Sequence, residues 1–350
     1  LRGISVRPLT LHADGRARHA PTYNQTAVAS VPEKVLLAAP RGYCAGVDRA
    51  VQTVEHALDI YGPPVYVRKE IVHNKHVVET LRARGAVFVD SAAEVPEGQT
   101  VVFSAHGVAP GVHAEAADRG LKTIDATCPL VTKVHVEAKK FAADGYTIIL
   151  VGHAGHEEVE GTMGEVPDAI ILVETIEDVA TLEVPETDRL AFLTQTTLSV
   201  DETAGIIAAL KQRFPEITGP RTKDICYATT NRQAAVKELA AACDLVLVIG
   251  SKNSSNSNRL VDVTRDQGTD AHLIDNAGEV REEWLEGKRV VGITSGASAP
   301  DELVQNLVQF FRDRGTSDIS ELETIDENMR FMLPREIRTA LEANALPVTG

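Results

Sequence analysis

The sequence predicts an α/β protein made of three pseudo-repeated modules, each with a mainly parallel four-stranded sheet. Three observations predict it. Cys44, Cys128 and Cys226 recur at intervals of 84 and 98 residues, each expected after a short strand and before a helical stretch. The segments Ala86 to Val95 (AVFVDSAAEV), Ile170 to Val179 (IILVETIEDV) and Ala271 to Val280 (AHLIDNAGEV) share one pattern of buried strand, polar turn and acidic helix start, at offsets of 84 and 101 residues. An internal period this long outranks local motifs, because each copy is a complete supersecondary unit. Short apolar runs also alternate with helical periodicity, which implies parallel strands covered by helices.

Residues 1–31 hold Arg2, Arg7, Arg16 and Arg18 against the single acid Asp14 and show no sustained period, so a disordered arm is expected there. Module one, 32–125, offers strands at Val35 to Ala39, Val65 to Val67, Ala86 to Val89 and Val101 to Ser104. The run Lys122 to Asp125 leads into module two, 126–222, which continues with Thr147 to Val151, Ile170 to Val173 and Leu190 to Leu193. Module three, 223–314, offers Lys223 to Cys226, Leu245 to Ile249, Ala271 to Ile274 and Arg289 to Ile293. Between strands, Val47, Val51, Val54 and Leu58, and again Val131, Val134, Ala138 and Phe141, fall at helical spacing. The tail, 315–350, is acidic at first and then suits a short helix over Arg335 to Ala343.

Composition narrows the function classes. A chain of 350 residues buries a substantial core without disulfides, and four dispersed cysteines suit a reducing compartment and a ligand role better than a stapled secreted scaffold. No apolar run approaches the ~20 residues of a membrane span, and the first residues lack the pattern of a secretory signal. A cytoplasmic protein is the expectation, with no membrane partner. The net charge of −15 disfavours nucleic acid and leaves an anionic ligand dependent on a local, well-shaped site.

A residue between a strand end and a helix start sits at the rim where α/β proteins bind ligands. Cys128 precedes Pro129, a residue favoured in the first helical position, so Cys128 is expected to cap a helix, where the thiol pKa is lowered. Cys44 lies between two glycines in Arg-Gly-Tyr-Cys-Ala-Gly, which lets the backbone approach something bulky. Cys243 falls on an apolar helix face near Val236, Leu239 and Ala240 and is read as core. Three thiolates suit zinc with a fourth ligand, or three irons of a cluster whose fourth iron is open. Spacing does not choose between them.

Polar groups gather at the same expected rim. His73, His106, His153 and His156, the run Thr194 to Thr197, the run Ser251 to Asn258 and Ser295 to Ser298 each follow an apolar strand. Together they would form a donor-rich wall able to hold a phosphate without many cations. One of the acids after His156, Glu157 or Glu158, would serve as a proton donor in a closed cavity.

With these residues in place, the chain resembles the 4-hydroxy-3-methylbut-2-enyl diphosphate reductase family. The motifs that carry the resemblance run from Val35 to about Phe311. In order they are PRGYCAGVDRAV (Pro40 to Val51), EIVHN (Glu70 to Asn74), SAHGV (Ser104 to Val108), DATCPLVTKVH (Asp125 to His135) and GHAGHEEVEGT (Gly152 to Thr162). TQTTLSVDET (Thr194 to Thr203), SKNSSNSNRL (Ser251 to Leu260) and TSGASAP (Thr294 to Pro300) complete the set.

The resemblance implies a trefoil-like arrangement of the modules around a 4Fe-4S cluster held by Cys44, Cys128 and Cys226, with the apical iron open to substrate. By the same likeness His73, His106, His156, Ser254, Ser255, Asn256 and Ser298 would bind the diphosphate, and Glu158 with Thr196 would serve the substrate hydroxyl and its proton relay. Glu157 takes a variable position and is given no role. The implied reaction is the reductive dehydroxylation of an allylic diphosphate alcohol to isopentenyl and dimethylallyl diphosphates, using two electrons and two protons. A ferredoxin or flavodoxin type donor would supply the electrons, to a monomer or homodimer.

Overall fold

The structure, a computed structural model, describes residues 31–185 and 189–345. The arm expected over 1–31 therefore lies, except for Val31, outside the described residues. Twelve strands form among them. They are β1 (Lys34–Ala39), β2 (Val65–Arg68), β3 (Ala86–Val89), β4 (Thr100–Phe103), β5 (Lys122–Asp125), β6 (Thr147–Val151), β7 (Ile170–Val173), β8 (Leu190–Thr194), β9 (Leu245–Ile249), β10 (Asp270–Ile274), β11 (Val290–Ser295) and β12 (Asp318–Glu323). The helices are α1 (Ala45–Tyr61), α2 (Lys75–Ala83), α3 (Pro110–Asp118), α4 (Pro129–Ala143), α5 (Glu157–Glu165), α6 (Ile176–Thr181), α7 (Val200–Arg213), α8 (Tyr227–Ala242), α9 (Ser255–Asp266), α10 (Glu282–Leu285), α11 (Asp301–Asp313) and α12 (Arg335–Ala345).

The α/β class and parallel pairing stand as the periodicity predicts, but the strands divide five, four and three rather than four each. The sheets run β10-β9-β11-β1-β12, β3-β2-β4-β5 and β7-β6-β8, every pair parallel. Three strands and one unformed run explain the difference: β5 pairs with β4 instead of joining β6, Lys223 to Cys226 forms no strand, and β1 and β12 join the five-stranded sheet. β1 (KVLLAA) leaves the strands that follow it and pairs on one side with β11, Val35 opposite Val291, and on the other with β12, Val35 opposite Ile319. A run with so little polar face suits an interior position, where both edges are paired. β12 (DISELE) lies in the acidic tail and shows no clean alternation, so pairing with β1 decides its form.

The expected strand Lys223 to Cys226 does not form. That segment is tied to β8 through side chains: Asp224 accepts from the Thr194 amide at 3.0 Å and pairs with Lys133 at 2.7 Å. On the edge of β8 away from β6, ladder-like bonding comes from Thr218, with two backbone bonds of 2.9 Å to Leu190 and Phe192.

Each sheet is covered by helices. Val51, Val54 and Leu58 of α1 pack with Val65, Val67, Val102 and Ile124, and Ile337 of α12 joins them. The five-stranded sheet is sandwiched, with Leu303, Leu307 and Phe311 of α11 on one face and Val236, Leu239 and Leu260 of α8 and α9 on the other. Burying each such side chain contributes about 1.5–3 kcal/mol. Among the described residues no helix is long and apolar enough to cross a membrane.

Cys243 ends α8 and packs with Leu36, Leu239 and Leu273, while Cys226 caps the other end, about 24 Å away at 1.5 Å per helical residue. Its thiol is pushed up to about 12 by burial. Cys243→Ser is therefore expected to leave the metal content of the purified protein unchanged; loss of metal in that variant would show that Cys243 is more than core.

Candidate active site

One cavity collects the twelve site residues named from the sequence: the three cysteines, His73, His106, His156, Glu158, Thr196, Ser254, Ser255, Asn256 and Ser298 all line it. His153 does not; it sits beside Arg259, outside the lining.

Each thiol stands at a helix N-terminus. Cys44 caps α1 and accepts from the Val47 amide at 3.5 Å, Cys128 caps α4 without a side-chain bond, and Cys226 caps α8, accepting from the Thr229 amide at 3.3 Å. Gly46 shows how tightly they converge. A Cβ there would lie 2.6 Å from Cys128 Sγ and 3.8 Å from Cys44 Sγ, so the two sulfurs are no farther apart than those distances combined.

The expectation of a lowered thiol pKa at Cys128 is reversed, and Cys226 behaves alike. Burial, and then the nearby Cys44, pushes Cys128 up to about 12, and the same causes push Cys226 up to about 11. Desolvation and crowding outweigh the helix ends.

Across the cavity stand the imidazoles. His73 and His106 stack with centroids 4.0 Å apart, and His156 meets His73 edge-on at 5.4 Å. His156 caps α5, its Nδ1 accepting from the Glu158 amide at 3.2 Å, which leaves Nε2 to carry the ring proton. Burial and the two neighbouring rings hold its pKa down at about 3, so it is a neutral donor at pH 7.

Glu157 is the residue that sequence reasoning left without a part. Its carboxylate accepts from His106 Nδ1 at 3.0 Å and from Ser104 Oγ at 3.4 Å. Burial would raise it, but the His106 bond and the charges of His106 and His73 prevail and lower it. Its place directly after His156 was the available signal.

Glu158 is 3% exposed. One oxygen accepts from the Thr196 amide at 2.6 Å and the other from Thr196 Oγ at 3.1 Å. Burial nonetheless raises its pKa to about 7, so near neutrality the side chain exists in both forms.

The serines and amide tie distant loops together. Ser298 Oγ donates to the His73 carbonyl at 2.9 Å, Ser255 Oγ to the Thr197 carbonyl at 3.2 Å, and Asn256 Oδ1 accepts from the Ala297 amide at 2.9 Å. Ser254 caps α9, whose N-terminal amides suit an anion. Tyr227, Thr229 and Phe331 also line the cavity and were not picked out from the sequence. Phe331 lies in the tail, where no local pattern points to it.

A buried acid that titrates near neutrality, three converging thiols and an imidazole and hydroxyl wall, set on parallel sheets, define an α/β enzyme with a thiol-lined centre. The chain belongs to the LytB protein family, whose model matches residues 35–312. A protein of Nocardia farcinica named 4-hydroxy-3-methylbut-2-enyl diphosphate reductase is 58% identical over 326 residues, covering 93% of this chain and 96% of the relative. One of Acidothermus cellulolyticus with the same name is 57% identical over 317 residues, covering 90% and 93%. The solved E-1-hydroxy-2-methyl-but-2-enyl-4-diphosphate reductase of Plasmodium falciparum superposes with a TM-score of 0.88 at 37% identity, over 90% of this chain and 100% of that one. A second solved structure, of (E)-4-hydroxy-3-methyl-but-2-enyl diphosphate reductase, the terminal enzyme of the non-mevalonate pathway, has a TM-score of 0.59 at 33% identity, over 80% of this chain and 99% of that one. The chain is an oxidoreductase of this family.

Proposed function

We propose that the protein reduces (E)-4-hydroxy-3-methylbut-2-enyl diphosphate to isopentenyl and dimethylallyl diphosphates, closing the non-mevalonate isoprenoid pathway, on a 4Fe-4S cluster held by Cys44, Cys128 and Cys226. The observation that carries this is the shared cavity, with thiols on one side, imidazoles and hydroxyls on the other, and Glu158 beside them. The names of the relatives support the substrate.

The donor set fits the cluster. Among the described residues, the group whose ligand atoms all lie within 4.8 Å of one another is His73, His106 and Glu157, and the three thiols are not such a group. A tetrahedral zinc with Zn–S near 2.3 Å would bring its sulfurs to about 3.8 Å. Thiols set wider apart, in a crowded apolar cradle, suit a polynuclear centre. A bound cluster supplies Lewis acidity at its iron without a protein ligand and passes electrons singly.

The chain's own residues do the rest. His73, His106 and His156 donate to the diphosphate with Ser254 and Asn256, the Ser255 and Ser298 hydroxyls turn to it from their carbonyl partners, and this anchoring fixes the alcohol at the thiol end of the cavity. Protonated on both nitrogens, His106 gives its Nδ1–H to Glu157 and its Nε2–H to the diphosphate. Glu158 gives its proton to the departing hydroxyl, which leaves as water, and Thr196 Oγ relays the replacement. The allyl unit takes two electrons and the second proton. A ferredoxin or flavodoxin type protein is the proposed electron source.

Metal analysis and a visible spectrum of oxygen-free protein test this reading. A brown protein with about four irons and four labile sulfides per chain is expected. Colourless protein holding one zinc would overturn it and favour a single ion on His73, His106 and Glu157, the one alternative with supporting geometry.

A further inference from the structure

The loops that carry the thiols are joined by two arginines, and both arginines are held by the tail, which lies beyond the residues matched by the family model. Arg232, in α8 behind Cys226, is fully buried. Its Nη2 donates to the Gly42 carbonyl at 2.7 Å, two residues before Cys44, and its Nη1 to the Ala228 carbonyl at 3.1 Å. Glu327 in the tail faces the same guanidinium with both oxygens at 3.2 Å, and Asn231 Nδ2 donates to that carboxylate at 3.1 Å. A buried guanidinium stays charged, so it requires this carboxylate.

Arg49, in α1 behind Cys44, reaches the other way. Its Nη1 donates to the carbonyl of Thr127, the residue before Cys128, at 3.1 Å, and its Nη2 to the Asp125 carbonyl at 3.4 Å. Its Nε donates to the Met332 carbonyl at 2.8 Å. Between the two tail anchors lies Phe331, which lines the thiol cavity while its neighbours Met329 and Met332 face solvent, 49% and 74% exposed.

We propose that Arg49 and Arg232 are positioning residues that set the spacing of the three cysteines, and that residues 327–332 form a strap whose Phe331 walls the cluster off from water and oxygen. Arg232 ties the Cys226 helix to the Cys44 loop, Arg49 ties the Cys44 helix to the Cys128 loop, and the strap fastens both. This rests on the cluster reading above. A strap that served folding alone would need no side chain in the cavity.

Phe331→Ala and Glu327→Gln test it in anaerobically reconstituted holoprotein, read by iron content, the electron paramagnetic resonance spectrum of the reduced cluster, and the rate of absorbance loss in air. Phe331→Ala is expected to load iron as the parent does, with an unchanged melting temperature of the metal-free protein, and to bleach on the order of tenfold faster, the scale of effect seen when groups supporting a metal site are removed. Glu327→Gln is expected to alter the resonance spectrum as well, because the charge holding Arg232 is gone. Should Glu327→Gln unfold, Phe331→Ala still decides. Parent protein that holds iron while the folded variants bleach at its rate with its spectrum overturns this inference alone; parent protein without iron overturns the cluster reading too.

Discussion

Glu158→Gln is expected to lower turnover by about 10²–10⁴-fold, the usual worth of a positioned general acid, while iron content and substrate affinity stay near those of the parent. The amide replaces the carboxyl almost atom for atom and can keep the bond from the Thr196 amide, so the cavity does not collapse. What it lacks is the transferable proton. Steady-state rates with an artificial one-electron donor, alongside iron analysis and substrate titration, check this; turnover near the parent level with a full cluster would remove Glu158 from the mechanism.

The pH profile gives the same residue a second test. Burial raises its pKa to about 7, and the acid acts in its protonated form. Turnover should therefore be level below about pH 7 and fall about tenfold per unit above it, and this alkaline limb should be missing from Glu158→Gln. The sign for stability runs alike. A carboxyl whose pKa is raised on folding favours the folded state at low pH, and that advantage fades as pH climbs from its ordinary value of 4.5 through 7.

Gly46→Ala is expected to weaken cluster loading while leaving the fold intact. The new Cβ would lie 2.6 Å from Cys128 Sγ and 3.4 Å from Cys128 Cβ, so the thiol must swing away or α1 must shift. Helix propensity points the other way, since alanine in place of glycine favours a helix by about 1 kcal/mol. A circular dichroism spectrum like the parent's, with iron binding weakened about 10–100-fold after reconstitution, is the expected pair of results. Full iron loading in Gly46→Ala would mean that the thiols do not hold the centre together.

Much of the site was legible in the sequence because its residues sit where strands hand over to helices. Cys44, Cys128 and Cys226 cap α1, α4 and α8, and His156 and Ser254 cap α5 and α9. Local patterning marks such junctions. Glu157 was visible but mute, since its partners, Ser104 and His106, come from some fifty residues earlier in the chain. Arg232 and Phe331 were not legible. An arginine within α8 reads as a surface residue, and its burial follows from Glu327 arriving from 95 residues along the chain.

The sequence by itself determined the α/β class, the parallel strands, the junctions where the reactive side chains stand, and the family to which they belong, because periodicity and capping are properties of short stretches. The tertiary structure alone decided that β1 and β12 join the five-stranded sheet, that Lys223 to Cys226 stays out of any ladder, and that a tail strap meets two arginines behind the thiols. It also raised the Cys128 and Cys226 thiol pKa values, since burial and the nearness of another sulfur outweigh a helix end, and both are set by which distant segments pack together.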